Sequence, residues 1–300
     1  MERDDRILTV LNQEPFFILD LTEDLSSTIQ WLRDQQLLPS NLISPCCESR
    51  CRLVRHWALK DREIFECSVE RCELQYSIRT GTIWNIFSKT RLVILVRIVF
   101  FYFLQRNNPL QVKRAMEYEG YFIKLQTIRK LYQHIRKRIS NYMNREVFSL
   151  RLLQGYIQMQ KIKFSHRITG TRKKHAYIIG MLEVSSRRAF AVVVPSCSSA
   201  RINDIIRRFT QTGSLIITDE WLGYRNIPHP WIHVIQDGSL SFNIREVSEL
   251  CQQLKMTIEK NASYFEENLK PYVIEQLWWR KVGLAQEDSQ RELTSILSRY

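Results

Sequence analysis

Five of the seven cysteines lie between positions 46 and 72: Cys46, Cys47, Cys51, Cys67 and Cys72. They form two short-spaced groups, C-x3/4-C and C-x4-C, with 15 residues between Cys51 and Cys67. A segment of this size has too few apolar residues to close a core of its own. Thiolates gathered tetrahedrally around zinc replace one, which is the layout of a zinc ribbon or knuckle. The cysteine count is odd, and the N-terminus MERDDRILTV lacks the basic-then-apolar order of a secretory leader, so a disulfide framework is not expected. Adjacent cysteines rarely both bind one ion. The expected ligands are therefore Cys51, Cys67, Cys72 and either Cys46 or Cys47. Cys197 and Cys251 stand alone and read as core residues.

Charge is distributed as unevenly as the cysteines. Residues 1–40 hold 3 basic and 8 acidic groups, and residues 41–78 hold 6 of each. Residues 79–145 then hold 14 basic against 2 acidic, and residues 146–210 hold 12 against 3. A strongly basic centre between acidic or neutral ends is the electrostatic footprint of a polyanion binder, and DNA is the expected partner. No apolar run reaches the roughly 18 residues of a membrane helix. Leu92 to Leu104 is too short and carries Arg97. An intracellular protein is expected, nuclear in a eukaryote, with no membrane partner and with self-association left open.

Periodicity outlines the elements. Leu25, Ile29, Leu32 and Leu37 have near-helical spacing and end at Pro39. Asn108-Pro109 starts a helix over Leu110–Glu119, and Thr127 caps a second, TIRKLYQHIRKRISNYM. Ile128, Leu131, Ile135 and Ile139 line one face of the second helix, and Arg129, Lys130, Arg136, Lys137 and Arg138 line the others. Such a pair resembles a helix-turn-helix with the second helix reading DNA. A further basic run, Arg172, Lys173 and Lys174, is a candidate for phosphate contact. From Gly155 the texture turns to strands, at Tyr156–Phe164, Ala176–Glu183 and Ala189–Val194. A helix follows over Arg201–Phe209, then strands at Ser214–Thr218 and Trp231–Ile235, and a helix over Glu246–Lys260. That order fits a ribonuclease-H-like α/β domain. The C-terminal Leu277, Trp278 and Trp279 read as packing residues.

Cysteine pairs followed by SIRTGTIWNIFSKTRL (Ser77–Leu92), a helical segment and GSLIITDEWLGYRNI (Gly213–Ile227) resemble the Merlin superfamily of DDE transposases and their bacterial insertion-sequence relatives. The resemblance covers residues 45 to 260. It implies an α/β fold: a ribonuclease-H-like transposase core preceded by a zinc-ribbon-like segment and a helical, helix-turn-helix-like region. The corresponding divisions are an N-terminal helical segment (1–40), the zinc-ribbon-like segment (41–90), a helical DNA-binding region (91–145), the transposase-derived domain (146–262) and C-terminal helices (263–300). It also implies cutting and rejoining of phosphodiesters by two divalent cations, which three carboxylates hold beside the scissile phosphate.

The carboxylates themselves are mostly missing. The motif G-x-V-E-I-D-E falls on Gly155–Lys161, where Gln158, Gln160 and Lys161 stand in the acidic places. Neutral carboxamide oxygens hold hard cations weakly, and a lysine would repel them. No Asp or Glu occurs between Glu146 and Glu183. The second acid is present as Asp219. The third falls on Ser248, with Cys251 at the accompanying Trp and Lys255 at the closing Lys, while Glu246 and Glu249 are out of register. The expectation is a transposase-derived, zinc-holding, DNA-binding protein without DNA cleavage or strand transfer and without a two-metal magnesium site, with Asp219 a catalytic remnant. The competing expectations are an active enzyme that recruits Glu183 and Glu246 or Glu249, and a protein-interaction scaffold.

Overall fold

The chain divides into two units, Met1–Arg138 with Glu287–Tyr300 and Ile139–Gln286, in a computed structural model that describes residues 20–103, 108–149, 152–167, 173–236, 243–260, 265–284 and 296–297. In the first unit Asp24 starts helix α1 (Leu25–Asp34), its carboxylate accepting from the Ser27 amide at 2.7 Å. Ile29 and Leu32 are buried. The chain leaves the helix through Gln36 at φ 57, so Leu37 enters the core from a turn and not from the last helical turn. Strands β1 (Cys51–Arg55), β2 (Glu63–Cys67) and β3 (Gln75–Ser77) follow as an antiparallel sheet in that order, with Cys51 directly opposite Cys67.

The RTGTIW stretch is a structural clamp. Gly81 takes φ +74, a left-handed conformation that costs glycine nothing. Thr82 then caps the 3₁₀ turn Ile83–Phe87, and the Trp84 indole donates to the Leu37 carbonyl at 2.9 Å. The buried Arg79 guanidinium grips both oxygens of Asp61, at 2.6 and 2.5 Å, and donates a third bond to the Phe87 carbonyl at 2.8 Å. This fork geometry uses the donors that a buried arginine must satisfy.

Helix α2 (Leu92–Phe103) is short and apolar almost all round. Its Arg97 is turned to the Glu119 carboxylate and lies over the Tyr121 ring at 4.8 Å. Among the described residues no helix is long and apolar enough to cross a membrane. Asn108 and Gln111 close a reciprocal capping box around helix α3 (Pro109–Tyr118). Helix α4 (Leu125–Ser149) begins two residues before Thr127 and continues six beyond Met143.

The second unit is built on a five-stranded mixed sheet. Its strands are β4 (Tyr156–Arg167), β5 (Lys173–Glu183), β6 (Ala189–Val194), β7 (Leu215–Thr218) and β8 (Ile232–Ile235). Their spatial order is β6-β5-β4-β7-β8, with β5 antiparallel to both neighbours and β7 parallel to β4 and β8. This is the ribonuclease-H-like arrangement. On one face, Ile202, Ile205 and Ile206 of helix α5 (Ser199–Phe209) pack with Ile157, Met159, Ile179, Met181 and Ile216. On the other, Val247 and Cys251 of helix α6 (Arg245–Lys260) pack with Leu182, Ile217 and Ile244. Helix α7 (Phe265–Leu284) buries Leu277, Trp278 and Trp279, and the two indoles meet edge-on at 4.6 Å. These aromatics are core, as their sequence context suggested.

Removing one partner of the Asp61–Arg79 pair leaves an uncompensated buried charge. Asp61→Ala or Arg79→Ala is therefore expected to cost about 3–5 kcal/mol, whereas the double change Asp61→Leu with Arg79→Met recovers most of it. Denaturant midpoints of the three variants check this.

Candidate functional site

The parallel ladder between β4 and β7 decides what meets at the carboxyl end of the sheet. Its register runs to Met159 opposite Thr218, so Gln160 and Asp219 are the next residues of adjacent parallel strands. Strand alternation puts Gln158 and Gln160 on the α6 side, because Ile157 and Met159 belong to the α5-side core. Gln158 is 4% exposed, and its Oε1 accepts from the Val247 amide at 3.0 Å. Val247 lies in the first turn of α6, where backbone N–H groups have no helical acceptor. The residue in the first acidic place thus acts as a side-chain cap for α6.

Helix α6 comes down close to the sheet at Gly180, the register partner of Gln160. A Cβ built there would stand 2.7 Å from the Cys251 sulfur and 3.5 Å from a Val247 methyl. Burial pushes the Cys251 thiol up to about 12, so it is protonated at neutral pH. Asp219 is half-buried, and its Oδ1 accepts from the Trp221 amide at 3.0 Å. Tyr224 is fully buried nearby, and its hydroxyl is raised first by burial and then by the charge of Asp219. His233 on β8 shares a 2.9 Å hydrogen bond with Thr218, and burial lowers its ring below the usual histidine range.

Lys161 is the point at which the expectation needs correcting. It has the parity of Ile157 and Met159, and its ammonium stands 3.6 Å from the Trp221 ring centroid. Its charge is spent on a cation–π contact on the α5 side, not on the face that carries Gln160. Adjacent residues of a strand point to opposite faces, so Gln160 and Lys161 must diverge, and strand parity was the available signal.

The substitute acids are committed elsewhere. Glu183 pairs in register with Ile157 and so shares its α5-side parity. It lies three residues, about 10 Å, back along the strand from Gln160. Burial raises its carboxyl, but Arg188 at 2.8 Å, with help from Ser185 and the Gln154 amide, outweighs that and holds it below its ordinary value. Glu246 pairs with Arg187 at 3.4 Å. Glu249 is exposed and pairs with Arg245 at 3.1 Å. Ser248 is half-buried and stands about 100° around α6 from Val247. Among the described residues, the donors in the three expected places and beside them are therefore the Asp219 carboxylate, the Gln158 and Gln160 carboxamides and the Ser248 hydroxyl. Two hard divalent cations need more negative charge than this, so the residues present do not fit a two-metal site.

In the first unit, the sulfurs of Cys47, Cys67 and Cys72 all lie within 4.8 Å of one another, with Cys47 and Cys67 at 3.2 Å. Tetrahedral zinc–thiolate bonds of about 2.3 Å put sulfurs roughly 3.8 Å apart, so these three thiols fit one zinc ion. The structure separates the neighbouring cysteines: Cys47 belongs to this group, and the exposed Cys46 does not. Cys51 is outside the group of three but faces Cys67 across the β1–β2 ladder. Burial and then the charges of Cys67 and Cys47 raise its thiol. Hydrogen bonding from Ser44, then from Cys67 and the Ser49 amide, lowers the Cys47 thiol from 9.0 to about 6.

The basic residues of α4 divide by burial. Lys130 and Lys137 are exposed and stand seven residues, about two turns, apart on one face. Arg136 is 8% exposed and lies over the Tyr132 ring at 5.6 Å. Arg138 donates to the main-chain carbonyl of Leu297 at 2.5 Å, and Arg129 is half-buried. Arg172 lies outside the described residues, and Lys173 and Lys174 are described only as β5 backbone.

Two outcomes follow from this geometry. Gly180→Ala should destabilise the protein by about 1–3 kcal/mol through overpacking, and Cys251→Ala in the same chain should recover most of the loss in denaturant melts. In metal-free protein, Cys47 should be alkylated by iodoacetamide ahead of the other cysteines. Its rate should rise through about pH 6 as the thiolate forms, and peptide mass mapping reads the order.

Comparison with known proteins agrees with the sheet. Residues 150–278 match the family model described as the ISXO2-like transposase domain, a DDE transposase domain. No curated protein matches the chain. Among solved structures, a chain of the simian T-cell lymphotropic virus intasome in complex with the PP2A regulatory subunit B56 gamma is 13% identical, with a TM-score of 0.29. That match covers 44% of this chain and about half, 51%, of the other, and it is too loose to bear on the site's chemistry. From its topology and its family match, the second unit is similar to a DDE transposase domain with a ribonuclease-H-like fold.

Proposed function

We propose that this chain is a transposase-derived DNA-binding protein of Merlin-like ancestry that holds one structural zinc and neither cuts nor joins DNA. The observation that carries the reading is the β4–β7 register, which ends at Met159 opposite Thr218 and so makes Gln160 and Asp219 the next residues of the two parallel strands. A carboxamide replaces the charge that would bind metal there, and the neighbouring Gln158 is engaged in capping α6. Asp219 alone cannot hold two cations against their hydration shells. The fold survives because its packing never depended on those charges.

Zinc bound by Cys47, Cys67 and Cys72, with Cys51 as the fourth thiolate, would tie β1 and β2 to the segments on either side of them. Bound there, it supplies tetrahedral cross-linking and no reaction chemistry. Metal analysis should give about one zinc per chain, and Cys67→Ser should abolish it.

DNA binding rests on the basic centre of the sequence and on the match to a transposase domain. Among the described side chains of α4, Lys130 and Lys137 are the exposed cations offered for phosphate contact. Charge reversal of both, Lys130→Glu with Lys137→Glu, should lower the slope of log affinity against log salt by about 2 for duplex DNA. Arg136→Ala and Arg138→Ala should act mainly through stability. With Mg²⁺ or Mn²⁺, the wild-type protein should leave supercoiled DNA intact. Nicking that vanishes in Asp219→Ala would overturn the reading, and Gln160→Asp with Ser248→Glu should raise metal affinity where the ancestral geometry persists.

A further inference from the structure

The segment 41–78 is neutral by count, with 6 basic and 6 acidic residues, but the fold polarises it. Five of the basic residues are exposed here: Arg50 just before β1, Arg52 and Arg55 on β1, and Lys60 and Arg62 on the loop that joins it to β2. The one acid of that stretch, Asp61, is buried against Arg79. Glu63, the first residue of β2, is held by Arg33 at 2.6 Å. Among the described residues no carboxylate lies within ion-pair distance of Arg50, Arg55 or Arg62. Only Arg52 is paired in this stretch, with Glu66 at 3.3 Å, and Lys60 donates to the Lys89 carbonyl.

Trp57 lies at the tip of this hairpin and is 70% exposed, with the Arg62 guanidinium 5.9 Å from its ring centroid. Leu53 and Leu59 are exposed beside it in sequence. An indole in that position forfeits the burial that ordinarily stabilises a tryptophan. Nothing in the packing of the hairpin explains it.

We propose that the β1–β2 hairpin binds unpaired DNA, with Trp57 stacking on a base and Arg55, Lys60 and Arg62 holding the flanking phosphates. This rests on the DNA-binding reading above and adds a second contact, distinct from α4. Stacking on an indole needs a base face that is uncovered, which a duplex does not offer and a single-stranded or frayed end does. The cations supply the complement to a polyphosphate and select against a basic or neutral partner. Because stacking is indifferent to base identity, the contact is sequence-tolerant.

The experiment uses the full chain with fluorescein-labelled dT20, rU20 and a 20-base-pair duplex of mixed sequence as probes. Trp57→Ala should weaken dT20 binding roughly tenfold and leave the duplex within about twofold, while Trp57→Phe keeps most of the dT20 affinity. Binding of dT20 should quench a share of the wild-type indole fluorescence that is missing in Trp57→Phe. Arg55→Glu with Arg62→Glu should weaken dT20 and reduce its salt slope. Each variant should keep the wild-type melting midpoint, since the altered side chains are exposed.

The two readings fail separately. Duplex binding that persists while Trp57→Ala leaves dT20 unchanged overturns only the hairpin proposal. A wild-type chain that binds neither probe at about 50 mM salt overturns the DNA-binding reading and this one with it. Tighter binding of rU20 than of dT20 overturns the assignment to DNA. Displacement of dT20 by polyglutamate, with equal weakening of both ligands in Trp57→Ala, points to an acidic protein partner and overturns it too.

Discussion

The second unit depends on one pairing, the parallel ladder between β4 and β7. It brings two segments more than fifty residues apart in sequence side by side, in a register that leaves Gln160 next to Asp219. Everything else in the unit is arranged around that central pair. The β4–β5 hairpin extends the sheet on one side, and β8 extends it on the other. The two faces are closed by α5 and α6 through separate apolar clusters. A site at the strand ends is therefore a consequence of the fold, whatever side chains occupy it.

In this chain the side chains have been turned to packing. Gln158 satisfies a backbone donor of α6 that would otherwise be buried without an acceptor. Cys251 occupies the space over Gly180 as a protonated thiol, which behaves as a small hydrophobe. A carboxylate-bearing site accepts strong mutual repulsion among its acids in return for metal binding. Replacing two of those acids by neutral groups removes the repulsion and needs no metal to offset it.

The first unit has its own apolar core, with Leu32, Phe65, Trp84, Leu95 and Leu131 fully buried, and small polar clamps fix the chain around it. Arg79, Thr82 and Trp84 account for most of the distinctive RTGTIW stretch: Arg79 bonds to Asp61 and the Phe87 carbonyl, Thr82 to the Arg79 carbonyl and Trp84 to the Leu37 carbonyl. The thiols of Cys47, Cys67 and Cys72 gather a few residues from the same strands. Consuming Asp61 and Glu63 in such contacts also leaves Arg55 and Arg62 of the hairpin without a carboxylate at ion-pair distance among the described residues. One set of interactions thus shapes both the stability of the module and its surface charge.

Much of this was legible from residues alone. Short-range features carry their own physical signals: the Asn108-Pro109 helix start, the alternation of Tyr156–Phe164, the apolar run into Asp219, the spacing of the cysteines and the loss of acids before Glu183. Each depends on neighbours within a few positions. The sequence could not choose between Cys46 and Cys47, because the choice depends on which sulfur faces Cys67 across a turn. It could not tell that Lys161 points away from Gln160 to a tryptophan sixty residues on, or that Arg136 is turned inward while Lys130 and Lys137 of the same helix are exposed. Nor could it show that a segment of zero net charge presents a basic tip beneath an exposed indole. Composition and local pattern determined which acids are absent from the expected places and which residues stand there instead. Only the tertiary structure decided where the remaining charges face, because burial and pairing are properties of contacts between distant residues.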